Sequence, residues 1–301
     1  MKNKYLIIPI IILSILAISS FFFPRTTYFN NEENMNIVIK DKETDEEKEM
    51  DLEEYIIGVI AGEMPASFNE EALKAQAVAA RSYAINKINT STTSYDVLTD
   101  ITNQVYITTD DMKEKWTTNF NYYYEKIKLA VEDTKGLVMT YNGEVISAYY
   151  FSMSNGYTEN VASVFGGEED YLVSVESSWD KNVKNFTVNT IFSKYEFCNK
   201  LNISCDNITI NNINRNETNH VESITINDKD FKGTEVRSLL GLRSTDFTIE
   251  IDDDINITTN GYGHGVGMSQ YGANEMAKLG YNYEEILKYY YKDIKIEKIN
   301  V

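Results

Sequence analysis

Glu63 is the residue whose position most suggests chemistry. It ends the run Leu52-Glu-Glu-Tyr55-Ile56-Ile-Gly-Val59-Ile60-Ala-Gly62. Leu52, Tyr55, Ile56, Val59 and Ile60 follow the i, i+3, i+4, i+7, i+8 spacing of an amphipathic helix, and position 63 continues that stripe. Met64-Pro65 must stop the helix, because a residue before proline is driven out of the α region. A carboxyl group is thus expected at a helix C-terminus, on the inward face. Burial and the negative end of the helix dipole both disfavour its ionisation. Its pKa should rise toward neutrality, as a general acid requires. The competing reading is a solvated glutamate on a frayed last turn.

A second candidate is the glycine run 261, 263, 265 and 267, which strips one face of a strand of side chains and leaves His264 on the other. Such a face permits unusual φ/ψ and close approach of a ligand to the backbone. A structural glycine kink is the alternative. A phosphate loop is disfavoured, since no Lys-Ser/Thr follows. With two histidines in the chain and no His-Glu-x-x-His, a zinc protease is excluded; Gly267-Met-Ser269-Gln-Tyr-Gly272 is not a nucleophile elbow.

These residues need elements to hold them. After Pro65, Ser67-Phe-Asn-Glu70 reads as a capping box opening the alanine-rich helix Glu71–Tyr83. A tight elbow between two helices would then carry Glu63. Residues 119–135 form a helix on the stripe Phe120, Tyr123, Tyr124, Ile127, Ala130 and Val131, and Leu137–Tyr141, Asn142-Gly143, Glu144–Phe151 is a hairpin with a type I′ turn. Residues 185–245 read as a smaller lobe, with helices near Ile191–Leu201 and Gly233–Leu240. Phe247–Ile251 and Ile255–Thr258 are strands, Ser269 caps a helix, and Asn282–Tyr291 forms another. The fold class is α+β: a mixed helix and antiparallel-sheet catalytic domain over 51–301 with an inserted lobe.

The chain resembles the stage II sporulation protein D family, which comprises peptidoglycan lytic transglycosylases and related amidase-enhancer proteins. Three blocks carry the resemblance: Leu52–Ala84, Tyr150–Glu159 and Gly261–Ala273. Gln104-Val-Tyr106, Arg237–Ser244 and Tyr283–Leu287 add to it. The resemblance implies cleavage of the bond between N-acetylmuramic acid and N-acetylglucosamine in peptide-free glycan strands, giving 1,6-anhydro ends during engulfment in sporulation. A glycosidase ordinarily needs two carboxyl groups. Here the substrate's own C6 hydroxyl replaces water, so Glu63 alone can act as acid and then base. Gln104, Tyr106, Tyr150, Ser152, Thr158 and Glu159 are carried over as glycan contacts. His264, Ser269 and Gln270 become hydrogen-bonding groups on a cleft wall against which an extended sugar chain lies. Arg81 reads as the structural partner of a carboxylate. A cell-wall amidase and other engulfment proteins are the implied partners; a non-catalytic amidase activator is the alternative. Some relatives hold zinc in the loop after the alanine-rich helix, but residues 85–115 contain neither Cys nor His, so no metal is expected there and no cofactor elsewhere.

The ends set the location. Residues 5–23 are uncharged and apolar, long enough for a hydrocarbon core of roughly 30 Å. Lys2 and Lys4 place the short N-terminus inside and the remainder outside the cell membrane; a cleaved signal peptide is the rival. Residues 25–50 read as an acidic linker in which Met35–Ile39 could add one strand. The net charge of −18 argues against nucleic acid as partner. Cys198 and Cys205 admit either a local disulfide or two free thiols.

Overall fold

A computed structural model describes residues 35–299. The expected membrane anchor at 5–23 lies outside these residues; among those described, no helix is long and apolar enough to cross a membrane. The second half of the stretch assigned to a linker is folded. Strands β1 (Asn36–Lys40) and β2 (Glu47–Asp51) pair antiparallel, Asn36 opposite Asp51. Ile37 and Ile39 point into the core, and that alternation is enough to anchor a strand in otherwise polar sequence.

Asp51 caps α1 (Leu52–Glu63), its carboxylate accepting from Glu53 N and Glu54 N. Met64 is extended (ψ 142°) and ends the helix as Pro65 requires. The next helix, α2 (Glu70–Thr90), is not capped by Ser67. Asn69 takes that place, accepting from Glu71 N at 3.0 Å, while its own N–H donates to Asn274. The N-cap expected at Ser67 therefore lies two residues later, at Asn69. α2 is buried over most of its girth: Leu73, Ala77, Ala80 and Ala84 face one core, and Ala72, Ala75, Val78 and Ala79 a second. Alanine suits a helix packed on several sides, since it forms helix well and keeps neighbours close. Arg81, fully buried on α2, forks onto Glu53 at 2.7 and 2.6 Å and also donates to the Leu137 carbonyl, which confirms its structural role.

β3 (Val97–Leu98) joins β1 in parallel, and α3 (Thr109–Trp116), capped by a Thr108–Asp111 box, lies where the sequence reading had no helix. α4 (Phe120–Asp133) follows as expected. β4 (Leu137–Tyr141) turns through Asn142-Gly143, both with positive φ, into β5 (Glu144–Val145). The return strand is shorter than expected. Tyr150–Phe151 leaves the hairpin and forms β6 in another sheet.

After the short helix α5 (Val161–Val164) the lobe begins at β7 (Thr187–Phe192), where a helix start was expected; α6 (Lys194–Leu201) comes next. β8 (Ile210–Arg215), β9 (Val221–Ile226) and β10 (Lys229–Lys232) form one antiparallel sheet backed by α7 (Gly233–Leu240). Cys198 and Cys205 are disulfide-bonded. β11 (Phe247–Ile251) and β12 (Ile255–Asn260) pair with β7 in the order β11-β12-β7. The third core thus continues through Ile255 and Ile257, past the lobe boundary placed at 245, because β7 finds its partner only in β12. β13 (Met268–Ser269), α8 (Gln270–Lys278), α9 (Tyr283–Tyr290) and β14 (Lys295–Lys298) return the chain to the main body, where β14 pairs with β4. The described residues form an α+β fold of helices and mostly antiparallel sheets.

Candidate active site

Glu63 sits at the end of α1 with one carboxylate oxygen, Oε1, accepting from the Val105 N–H at 2.7 Å. Burial raises its pKa to about 7, and the Val105 bond holds it back from going higher. A solvated carboxylate on a frayed turn would show no such shift. The segment 104–107 reaches Glu63 because α1 carries Gly58 and Gly62 one turn apart on the face it crosses. A Cβ on Gly58 would lie 2.2 Å from the Tyr106 ring, and one on Gly62 would lie 2.5 Å from the Val105 carbonyl. The small residues allow close backbone approach, and the Ile107 N–H bonds the Gly58 carbonyl at 3.3 Å.

Three tyrosines surround the acid. Burial above all, with the charge of Glu63 among the lesser causes, holds the phenols of Tyr55, Tyr83 and Tyr150 above their ordinary range. Gln104, only 1% exposed, ties two of them together. Its Oε1 accepts from Tyr55 OH at 3.0 Å, and its Nε2 donates to Tyr150 OH at 2.9 Å and to the Ala80 carbonyl. Both ends of its amide are used within the protein. Gln104 is therefore a positioning residue beneath the cleft, not the glycan contact expected. Tyr150 is the hub: its hydroxyl meets Gln104, its carbonyl accepts from His264 Nε2 at 3.0 Å, and its strand pairs in parallel with Met268. Tyr106 stacks on Tyr55 (centroids 5.7 Å, 13° between planes) and lines a groove of about 330 Å³ with Glu54, Gly58, Met112 and Tyr124. Ser152 is partly exposed, and its hydroxyl has no partner among the described residues.

The other expected contacts face inward. Thr158 is fully buried and bonded to the Val173 carbonyl and the Val175 N–H. Glu159 is 3% exposed and bound by Asn216 Nδ2 at 2.6 Å and by the Thr218 hydroxyl, with His220 Nε2 3.6 Å away; it fastens the lobe to the main body. His264 accepts from the Val266 N–H on Nδ1, which leaves Nε2–H to donate to Tyr150. Burial pushes its pKa down to about 4, so it is neutral and committed. Ser269 is fully buried, caps α8 through Gly272 N and donates to Asp180. Gln270 is buried in α8.

The glycine run has a different purpose from the one expected. It packs against residues 149–159 of the same chain, not against a ligand. A Cβ on Gly265 (φ 86°) would lie 2.7 Å from the Glu159 Cγ, and one on Gly267 (φ 79°) would lie 1.9 Å from the Tyr149 carbonyl. Sequence periodicity shows that a face is bare; it does not show what lies on that face.

Reasoning from the sequence missed Tyr55 and Tyr83, which read there as apolar stripe and helix end. It also missed Asp180. That buried carboxylate accepts from Ser154 (2.6 Å), Ser177 (2.8 Å) and Ser269 (2.9 Å), and burial raises its pKa to about 6 despite them. Ser177 is a local partner, but nothing around Trp179-Asp180 signals the rest of this role, because Ser154 and Ser269 lie on other segments.

The site is a carboxyl group with its pKa raised to about 7, at a helix elbow lined by tyrosines, in an α+β protein. Residues 40–141 match the family profile described as Stage II sporulation protein. Over 256 residues, 82% of this chain and 74% of the relative, the sequence is 43% identical to stage II sporulation protein D of Bacillus subtilis (strain 168). The counterpart from Bacillus amyloliquefaciens is 42% identical over 82% of this chain and 74% of its own length. The amidase enhancer of Bacillus subtilis is 30% identical over 78% of this chain and 39% of its own length. The chain belongs to the stage II sporulation protein D family.

Proposed function

We propose that the protein is a peptidoglycan lytic transglycosylase acting on peptide-free glycan strands during engulfment, held at the outer face of the cell membrane by residues 5–23. The observation that carries the reading is Glu63: one half-buried carboxyl whose pKa is raised to about 7, close enough to Tyr83 and Tyr150 that, after burial, its charge also raises their phenols. Protonated Glu63 delivers its proton to the glycosidic oxygen as the bond to C1 of N-acetylmuramic acid breaks. The resulting carboxylate then takes the proton of the C6 hydroxyl as that oxygen attacks C1, closing the 1,6-anhydro ring. One group suffices because it ends the cycle as it began it, and because water need not be activated. Glu159 is tied into the lobe junction, which supports a single-carboxyl mechanism over a pair. Tyr106 and Ser152 are the expected sites with surface left for sugar.

The test is the release of anhydro-muramic ends from stripped strands by the wild type and by Glu63→Gln. Abolition in the variant, with an unchanged fold, supports the reading. A variant that keeps more than about a tenth of the rate would exclude Glu63 as the acid.

A second reading, activation of a cell-wall amidase without cleavage, is favoured by the similarity to the amidase enhancer. In that case the wild type yields no anhydro ends alone and speeds an added amidase equally well with Glu63→Gln. In the first reading an amidase is instead the partner that strips peptides beforehand.

A further inference from the structure

We propose that Phe165, backed by Tyr149 and His264, is a stacking platform for a neutral sugar ring, forming a subsite displaced from Glu63 along the cleft. The proposal rests on the glycan-cleaving reading and adds a binding position to it. Phe165 ends the short helix α5, just before Gly166-Gly167, and its side chain is 51% exposed. A single exposed aromatic is ordinary. This one is seated on a chain of tilted and edge-on aromatic contacts that leads back toward the acid. Its ring centroid lies 5.0 Å from Tyr149 and 5.1 Å from His264; Tyr149 lies 5.9 Å from Tyr83, whose phenol feels the charge of Glu63. Phe151 packs on the other side of His264 at 5.6 Å.

The imidazole holds the platform still. Both its nitrogens are bonded to backbone, to Tyr150 O and Val266 N, so the ring cannot turn, and it carries no charge near neutral pH. His264 is a half-buried strut between the Tyr150 carbonyl and the Phe165 ring. The surface so made is apolar, uncharged and rigid. That matches the C–H face of a pyranose, which meets the electron-rich face of an aromatic ring. The bases of a nucleic acid would stack equally well, but Glu168, Glu169 and Asp170 follow just beyond Gly166-Gly167 and repel a phosphate backbone.

The experiment uses the full chain carrying Glu63→Gln, so that ligand is not consumed. Binding of long peptide-free glycan strands and of the isolated disaccharide is measured with and without Phe165→Ala and Phe165→Trp. The expected result is a roughly tenfold weaker Kd for long strands with Phe165→Ala, no change for the disaccharide, and retention with Phe165→Trp. In the active chain the same Phe165→Ala change raises KM for long strands and leaves kcat alone. Unchanged affinity for long strands overturns the platform, as does an equal loss for both lengths. If the wild type releases no anhydro ends and Phe165→Ala still weakens long strands alone, the platform stands and the catalytic reading falls.

Discussion

At the scale of single residues, the proposed role of Glu63 couples activity and stability through one protonation. Its pKa is raised from 4.5 to about 7 in the fold. The folded state therefore holds a proton that the unfolded chain has lost between those pH values. Stability contributed by this site is full below the unfolded pKa and drains away as pH rises through about 7. Glu63→Gln removes the charged form, so the variant should melt higher than wild type above neutral pH, by up to about 3 kcal/mol, and gain little at pH 4. Thermal melts across pH check this. Cleavage by the wild type should fall on the alkaline side of about pH 7, because only protonated Glu63 serves the leaving group. Glu159→Ala should behave oppositely. It strips the partner from Asn216, Thr218 and His220, so a loss of about 2 kcal/mol or more is expected, with cleavage per folded molecule largely kept. Melts and product assays on one preparation separate the two effects.

At the scale of elements, the Gly58–Gly62 face of α1 sets where Val105 meets Glu63. Alanine is the better helix former by roughly 1 kcal/mol, so propensity alone predicts that Gly62→Ala stabilises α1. The structure predicts the reverse, since the new Cβ would press on the Val105 carbonyl. Displacing that segment removes the one bond that lowers the Glu63 pKa, so the alkaline limb of the pH–rate profile should move to higher pH while the melting point drops. A stabilised variant with an unmoved profile would contradict this. Asp180 is the second hinge point. It gathers Ser154, Ser177 and Ser269 from three segments, and Gly272 is required beside it, because a Cβ there would lie 2.1 Å from Tyr290 OH. Asp180→Ala removes the acceptor that three buried hydroxyls share, and a loss of about 3 kcal/mol in chemical denaturation is expected.

At the scale of the molecule, three cores share one chain. Glu63, Tyr83 and Tyr150 belong to the main body, whereas Cys198 and Cys205 lie in the lobe with its own core of Phe197, Ile224, Phe231 and Phe247. Reducing the disulfide should therefore loosen the lobe by about 2 kcal/mol and leave the chemistry at Glu63 intact while the fold holds. Hydrogen exchange with and without reductant, beside product assays, tests that division. Loss of protection around α1 and α2 on reduction would show that the lobe and main body unfold as one.

The sequence by itself determined whatever depends on near neighbours along the chain. The α1 stripe, the stop at Met64-Pro65, the Asn142-Gly143 turn, the Ser269 cap and the position of Glu63 at a helix end all follow from spacing, proline geometry and local hydrogen bonding. Even Arg81 was legible, since an arginine in an alanine-rich, packed helix needs a carboxylate partner. Only the tertiary structure decided what lies opposite each face. The bare side of the glycine run meets Tyr149 and Glu159, His264 spends both nitrogens on backbone, Gln104 spends its amide on Tyr55, Tyr150 and the Ala80 carbonyl, and Ser154 and Ser269 close on Asp180 from distant segments. A motif records which side chains a position tolerates. Whether a polar group is free for a ligand depends on which other segment already occupies its hydrogen bonds, and that partner lies tens to hundreds of residues away.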